Sequence, residues 1–337
     1  MGTSGHLTND VLFAVKHLSD WFPIGKLKGI GRKLGGAYNL NIKIETSEGE
    51  YVVRILNRSN TVEHLRYIQQ MLEVLTAKGV PVLNPVLTAD GDSFIQYKEK
   101  LLQVTPYVRA EAFKCLPNQV CANARMLSAF HQALEHSPSG PEPAWSFYRP
   151  SDYYSDALDS LKSRPDIPRY QLYKVEKLAE SILETWENSQ AGLPDSVLHG
   201  DWHFWNQLYK KGEVCRIMDF DFIQQGKRIH DIAYSLWAIY ILLPEYSKVF
   251  DSLFIKEYAN LTDEEVRILP VAIARVGLFF LCQSAGAAQP AEKWHKHVRR
   301  QLPLIQWLLT DGERRMYELV HGKKDEEQKL DNILKLK

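Results

Sequence analysis

The chain is short of cysteine, of net charge and of long apolar runs, and each shortage removes a class of protein. Its four cysteines, Cys115, Cys121, Cys215 and Cys282, form no C-x-x-C pair and no regular framework. In a chain of 337 residues that argues against a disulfide scaffold and fits reduced thiols in the cytoplasm. The 41 basic residues balance the 41 acidic ones, so no global field draws the chain to nucleic acid or an anionic membrane. No stretch approaches the ~18 apolar residues of a membrane-spanning helix. The opening Met1-Gly2-Thr3-Ser4-Gly5-His6 lacks the apolar core of a secretory signal. Any charged ligand is therefore handled locally, and the expected location is cytoplasmic, without membrane or nucleic-acid partners.

What is present is enough for two packed lobes of an enzyme-sized protein, with 45% hydrophobic and 24% charged residues. Thr8 or Asn9 caps an expected helix through about Trp21, where Val11, Leu12, Val15 and Leu18 recur at helical spacing. Gly29, Gly31, Gly35 and Gly36 then punctuate a segment leading into the alternating strand Tyr38 to Ile44. After the turn Ser47-Glu48-Gly49-Glu50 comes a second strand, Tyr51 to Leu56. A glycine turn such as Gly35-Gly36 can cradle phosphates because no Cβ keeps the backbone N–H groups away, although hairpin glycines more often serve the turn alone. Thr61 to Lys78 reads as a helix ending at Gly79, and Leu101 to Val108 as the last strand of the first lobe. Backbone groups of the linker at Tyr107 and Val108 are placed to bind an adenine edge. Beyond Glu111 the pattern is mainly helical, with expected helices at Gln119 to Leu134, Lys174 to Trp186, Leu253 to Tyr258, Val266 to Cys282 and Trp294 to Leu309. The tail from Lys323 reads as a solvated helix. The expected lobes are residues 1–108 and 109–337.

The chemistry concentrates in His199-Gly200-Asp201-Trp202-His203-Phe204-Trp205-Asn206, then Ile217-Met218-Asp219-Phe220-Asp221, then His230-Asp231-Ile232-Ala233. An Asp five residues before an Asn can orient a hydroxyl nucleophile while the Asn holds Mg²⁺, both projecting from one tight loop. The expected hairpin Gln207–Tyr209 and Val214–Met218 brings Asp219 back beside that loop as a second hard oxygen ligand. Single loop aspartates mostly serve turns and caps. The joint pattern, with Asp219 thirteen residues after Asn206 and Asp231 twelve later, is what overcomes that default. Trp202 and Trp205 read as core or cleft walls. A zinc site on His199 and His203 needs a helix to bring both rings to one face, and Gly200 argues against one.

In their order and spacing these three blocks resemble the aminoglycoside phosphotransferase and choline kinase superfamily of kinase-like enzymes. The resemblance implies an α+β, two-lobed protein-kinase-like fold, with an N-terminal antiparallel sheet lobe and a mainly helical C-terminal lobe. It implies that Asp201 is the catalytic base, that Asn206 and Asp219 hold Mg²⁺, that His199 supports the loop and that Asp231 braces it from the next helix. It places Gly35 and Gly36 over the phosphates of ATP or GTP and Arg54 on those phosphates, where kinases more commonly carry lysine. It also calls for a helix glutamate paired with Arg54, with Glu63 preferred over Glu73. Asp221 either assists at the metal or caps a turn.

The expected function is therefore transfer of a γ-phosphoryl group to a hydroxyl of a small metabolite or antibiotic. Only eleven residues separate Asp219 from Asp231, too few for a peptide-binding activation segment, so a small acceptor is favoured over a protein. The alternative is a non-catalytic kinase-like binding or structural protein, motivated by Arg54 and the poorly placed glutamate.

Overall fold

Alternation in the first hundred residues builds a sheet with one face for a core and the other for a cleft. The computed structural model describes residues 9–36, 38–57, 60–286 and 289–322; Thr8 and the tail from Lys323 lie outside the described residues. Helix α1 (Asn9–Lys16) precedes strands β1 (Leu27–Leu34), β2 (Leu40–Thr46) and β3 (Glu50–Ile55). Helix α2 (Val62–Ala77) follows, then β4 (Ile95–Tyr97) and β5 (Lys100–Pro106). The five strands form one antiparallel sheet in the order β1-β2-β3-β5-β4. The expected first helix is cut short at Lys16 and followed by a 3-10 turn, Leu18–Asp20. The cause is local: the amide of His17 is shared between the carbonyls of Phe13 and Ala14, which tightens the last turn.

On one face of the sheet Ile42, Ile44, Val53, Ile55, Leu102 and Val104 pack with Val11, Val15 and Phe22 in a separate core under α1. The opposite face carries a polar row, because Asn41 pairs with Arg54 and Arg54 with Gln103. One glycine position constrains the backbone near it. Gly36 has φ +141°, and a Cβ there would meet the Asn41 amide nitrogen at 2.7 Å. Only glycine takes that conformation without strain.

The rest is mainly helical: α3 (Pro117–Leu134), α4 (Ser151–Lys162), α5 (Arg169–Ser189), α6 (Ile229–Leu242), α7 (Ser247–Glu257), α8 (Asp263–Cys282) and α9 (Ala291–His321). Between α5 and α6 lie short strands β6 (Asp195–Leu198), β7 (Gln207–Lys210), β8 (Glu213–Ile217) and β9 (Gln224–Lys227). Strand β6 pairs with β9, and β7 with β8, all antiparallel. Helix α2 begins at the Thr61 cap, whose hydroxyl accepts from the His64 amide at 3.2 Å. Its buried Leu65, Ile68, Met71, Leu72 and Leu75 belong to the same core as the helices, not to the core under α1. Next in the chain, the Ile217 amide donates to Pro81 and the Leu83 amide to Ile217, at 2.8 and 2.9 Å. The stretch after α2 is thereby fastened to the hairpin β7–β8.

Candidate active site

The loop leaving β6 is held by a buried carboxylate. Asp231, in the first turn of α6, accepts from the amides of His199 and Gly200 at 2.8 and 2.9 Å, and His131 Nε2 lies 3.1 Å away. Burial alone would raise the Asp231 pKa, but the hydrogen bond and charge of His131, with His230 and His199, hold it below the usual carboxylate range. Gly200 has φ +79°, and a Cβ there would meet the carbonyl oxygen of Phe222 at 2.4 Å, so only glycine fits. His199 donates from Nε2 to the Met218 carbonyl at 3.0 Å and accepts from the Asp201 amide at Nδ1 at 3.4 Å. Burial pushes its pKa down to about 4. A neutral imidazole with both nitrogens engaged serves as a strut and is unavailable to zinc.

Asp201 projects beyond this strut. The Asn206 amide group donates to the Asp201 carbonyl at 2.9 Å and to its carboxylate Oδ2 at 3.0 Å, leaving the carboxamide oxygen of Asn206 for the cleft. Oδ1 lies 3.6 Å from His203 Nε2. Burial pushes the Asp201 pKa up to about 7, against opposing hydrogen bonds from Tyr234 and Asn206. The hairpin then fixes the second acid: Gln207 pairs with Ile217, and the Met218 amide donates to the Asn206 carbonyl at 2.9 Å. Asp219 therefore emerges beside Asn206. Its φ of +66° is a strained value for a residue with a side chain.

Arg54 crosses the cleft to meet this pair. Its Nη2 lies 3.0 Å from Asp219 Oδ1 and 3.1 and 3.0 Å from the two oxygens of Asp221. Asp221 is buried and also accepts from the side-chain amide of Asn39, whose oxygen takes the Asn57 amide at 2.9 Å. Burial and the charge of Asp221 raise the Asp219 pKa, while Arg54 lowers it. Two carboxylates thus converge on one guanidinium, and with the Asn206 carboxamide they offer hard oxygen donors of the kind a divalent metal takes.

These groups border a cavity of about 370 Å³ whose walls include Gly35, Gly36, Gln103, Thr105, Trp205 and Asn206. Trp205 is 40% exposed there, whereas Trp202 is fully buried and donates its indole N–H to Asn123 at 3.0 Å. The expected pair of Arg54 with Glu63 is not formed. Glu63 is exposed in the first turn of α2, and the next residue, His64, is buried and donates from Nε2 to the Ile223 carbonyl at 2.9 Å. Tyr107 and Val108 do not line the cavity, and the Tyr107 amide is spent on the Glu50 carbonyl at 2.9 Å. On that strand the cavity is faced by Gln103 and Thr105, which the alternation with Leu102 and Val104 already marks. Asn39, His64 and Tyr234 were not singled out from sequence, since nothing in a lone asparagine, histidine or tyrosine distinguishes a cleft from a core.

The description "Phosphotransferase enzyme family" matches residues 31–260, more than half of the chain. The chain belongs to this family. Among relatives of this phosphotransferase is the homoserine kinase of Polaromonas naphthalenivorans, 25% identical over 266 residues, covering 76% of this chain and 81% of the relative. The homoserine kinase of Phenylobacterium zucineum is 24% identical, covering 69% of each. Similar solved structures include the amicoumacin kinase hAmiN in complex with AMP-PNP, Ca²⁺ and Ami, with a TM-score of 0.68 and 18% identity over 88% of this chain and 93% of that one. The microcompartment-associated aminopropanol kinase gives a TM-score of 0.70 at 14% identity, covering 92% and 100%. The kinase-like fold is thus established, and the enzyme is a phosphotransferase acting on hydroxyl groups. Among the described residues no helix is long and apolar enough to cross a membrane.

Two stability measurements probe the site. Asp231→Asn should cost about 3 kcal/mol in urea unfolding, because buried partners lose their acceptor and charge. The Asp231 contribution is complete above the ordinary carboxylate range and is lost as pH falls through its lowered folded value, so the gap to wild type should close on acidification. Arg54→Met should cost a similar ~3 kcal/mol without divalent ions, and added Mg²⁺ should restore part of the melting temperature. An unchanged melting temperature would refute the counter-charge role of Arg54.

Proposed function

We propose that this phosphotransferase moves the γ-phosphoryl of ATP to the hydroxyl of a small molecule, an amino alcohol or hydroxy amino acid being the favoured acceptor class. The observation that carries the reading is that Asn206, Asp219 and Arg54 border one cavity behind a glycine turn, with the Asp201 carboxylate held against Asn206 at its edge. Asp201 accepts the acceptor hydroxyl and takes its proton late; its raised pKa suits that exchange near neutral pH. Asn206 and Asp219 would hold Mg²⁺, which when bound would neutralise phosphate charge. Arg54 exchanges Asp219 for phosphate oxygens on nucleotide entry and keeps Asp221, which takes the place of a helix glutamate. Gly35 and Gly36 lie over the phosphates, and Gln103 and Thr105 border the base. His199 and Asp231 hold the loop. A cytoplasmic location, beside the ATP pool, is part of the same proposal.

The relatives' names support the acceptor class: homoserine kinases by sequence and an aminopropanol kinase by fold. Besides Asp219 and Asp221 the residues bordering the cavity are apolar, neutral or, in Arg54, basic, which fits a small acceptor better than a polycationic antibiotic.

An ATP-consumption screen over amino alcohols, hydroxy amino acids, sugars and antibiotics, with mass detection of the added phosphate, should find an acceptor in the first two groups. Asp201→Asn should lower turnover by about three orders of magnitude while magnesium ATP still raises the melting temperature. Asp219→Ala should abolish that thermal shift. Full turnover in the first variant, or an intact shift in the second, would reject the assignments.

A further inference from the structure

The 3-10 turn Phe204–Asn206 sends three side chains in three directions, because its residues advance by about a third of a turn each. Phe204 turns inward and stacks on Phe113 with ring centroids 4.7 Å apart. Asn206 turns to the Asp201 carboxylate. Trp205, between them, turns to the cavity that Arg54 and Asp219 also border. No step of the phosphoryl transfer uses it.

A single exposed apolar side chain is ordinary on a protein surface. This one stands out by where it is and by how it is held. Among the described residues Trp205 is the one exposed tryptophan, whereas Trp186, Trp202 and Trp294 are fully buried. The indole N–H groups of Trp202, Trp237 and Trp294 donate to Asn123, Gln301 and Gln171. That of Trp205 has no partner among the described residues. The ring is nevertheless not loose: Phe113 packs against it at 81° with centroids 5.4 Å apart, and the Trp205 amide is spent on His203 Nδ1 at 3.2 Å.

Position narrows what such a ring can meet. Phe113 belongs to the stretch that leaves β5 after Pro106, and two hydrogen bonds between Glu111 and Tyr209, at 2.9 and 2.8 Å, tie that stretch to the hairpin β7–β8. Trp205 thus leans on the side of the cavity that β5 reaches, where Gln103 and Thr105 look in and Val52, Leu83 and Pro85 supply apolar walls. Arg54, Asp219 and the glycine turn are the groups for phosphates and metal. An aromatic face with a free N–H donor, set among apolar walls, suits instead a flat heterocycle and its sugar.

We infer that Trp205 is a nucleoside contact: its ring packs on the nucleoside of bound ATP and contributes affinity without touching the phosphoryl group that moves. The inference rests on the kinase reading above. It adds a residue that discriminates a nucleotide from a bare polyphosphate.

Calorimetric titration of the full-length protein with magnesium ATP and, separately, with magnesium tripolyphosphate divides the nucleoside from the phosphates. Trp205→Ala should weaken ATP binding at least about tenfold, the loss that follows when a base is deprived of an aromatic partner, and should leave tripolyphosphate binding unchanged. Trp205→Phe keeps a ring and should retain most of the affinity, while losing most of the change in tryptophan fluorescence that ATP produces in the wild type. An equal loss for ATP and tripolyphosphate would mean that the substitution acts through Asn206 at the metal. Unchanged ATP binding would mean that the ring meets nothing. Either result overturns the contact and leaves the kinase reading intact. Should Trp205→Ala fail to fold, the fluorescence of Trp205→Phe decides, and a response to ATP as large as that of the wild type overturns the contact. If the wild type binds neither ATP nor tripolyphosphate, the kinase reading itself fails and the contact falls with it.

Discussion

One guanidinium balances the centre of this molecule. Arg54 reaches from the sheet to two aspartates of the helical part, one buried and one strained in its backbone. Carboxylates brought so close repel, and burial makes the repulsion expensive, so a cation is needed before the cleft can close. The sheet row Asn41-Arg54-Gln103 fixes where that cation stands. Asp221, rather than a residue of α2, supplies its buried partner, and Asn39, just before β2, bonds to the same carboxylate. Geometry on both sides of the cleft therefore depends on one charge match.

A second constraint sets the loop. Asp231 gathers two backbone amides and His131, His199 spans from the loop to Met218, and the hairpin register places Met218 against Asn206. The ties are short, so Asp201, Asn206 and Asp219 are positioned by backbone and fixed side chains as well as by the hydrogen bonds from Asn206 to Asp201. Such pre-arrangement is what a reaction carried out mainly by placement and charge requires.

Much of this was legible in the residues. The order Asp201, Asn206, Asp219, Asp231 announced the site because a loop and a hairpin of fixed length can bring those side chains together in few ways. Alternation marked the strands, and helical spacing marked α2 from about Thr61. The partner of Arg54 was not legible. Helix periodicity says which residues share a face, but not that Arg54 meets its carboxylates 165 and 167 residues later in the chain. Tyr107 and Val108 failed for a related reason: strand alternation leaves open where a cavity stops, and it stops at Thr105.

Helix α2 shares its apolar packing with the helical part, while the sheet keeps a core of its own beneath α1. The seam between the two therefore runs behind the sheet instead of around the helix. Opening along it would exchange a few polar contacts and bare little oily surface, with strands, glycine turn and Arg54 travelling together as one plate.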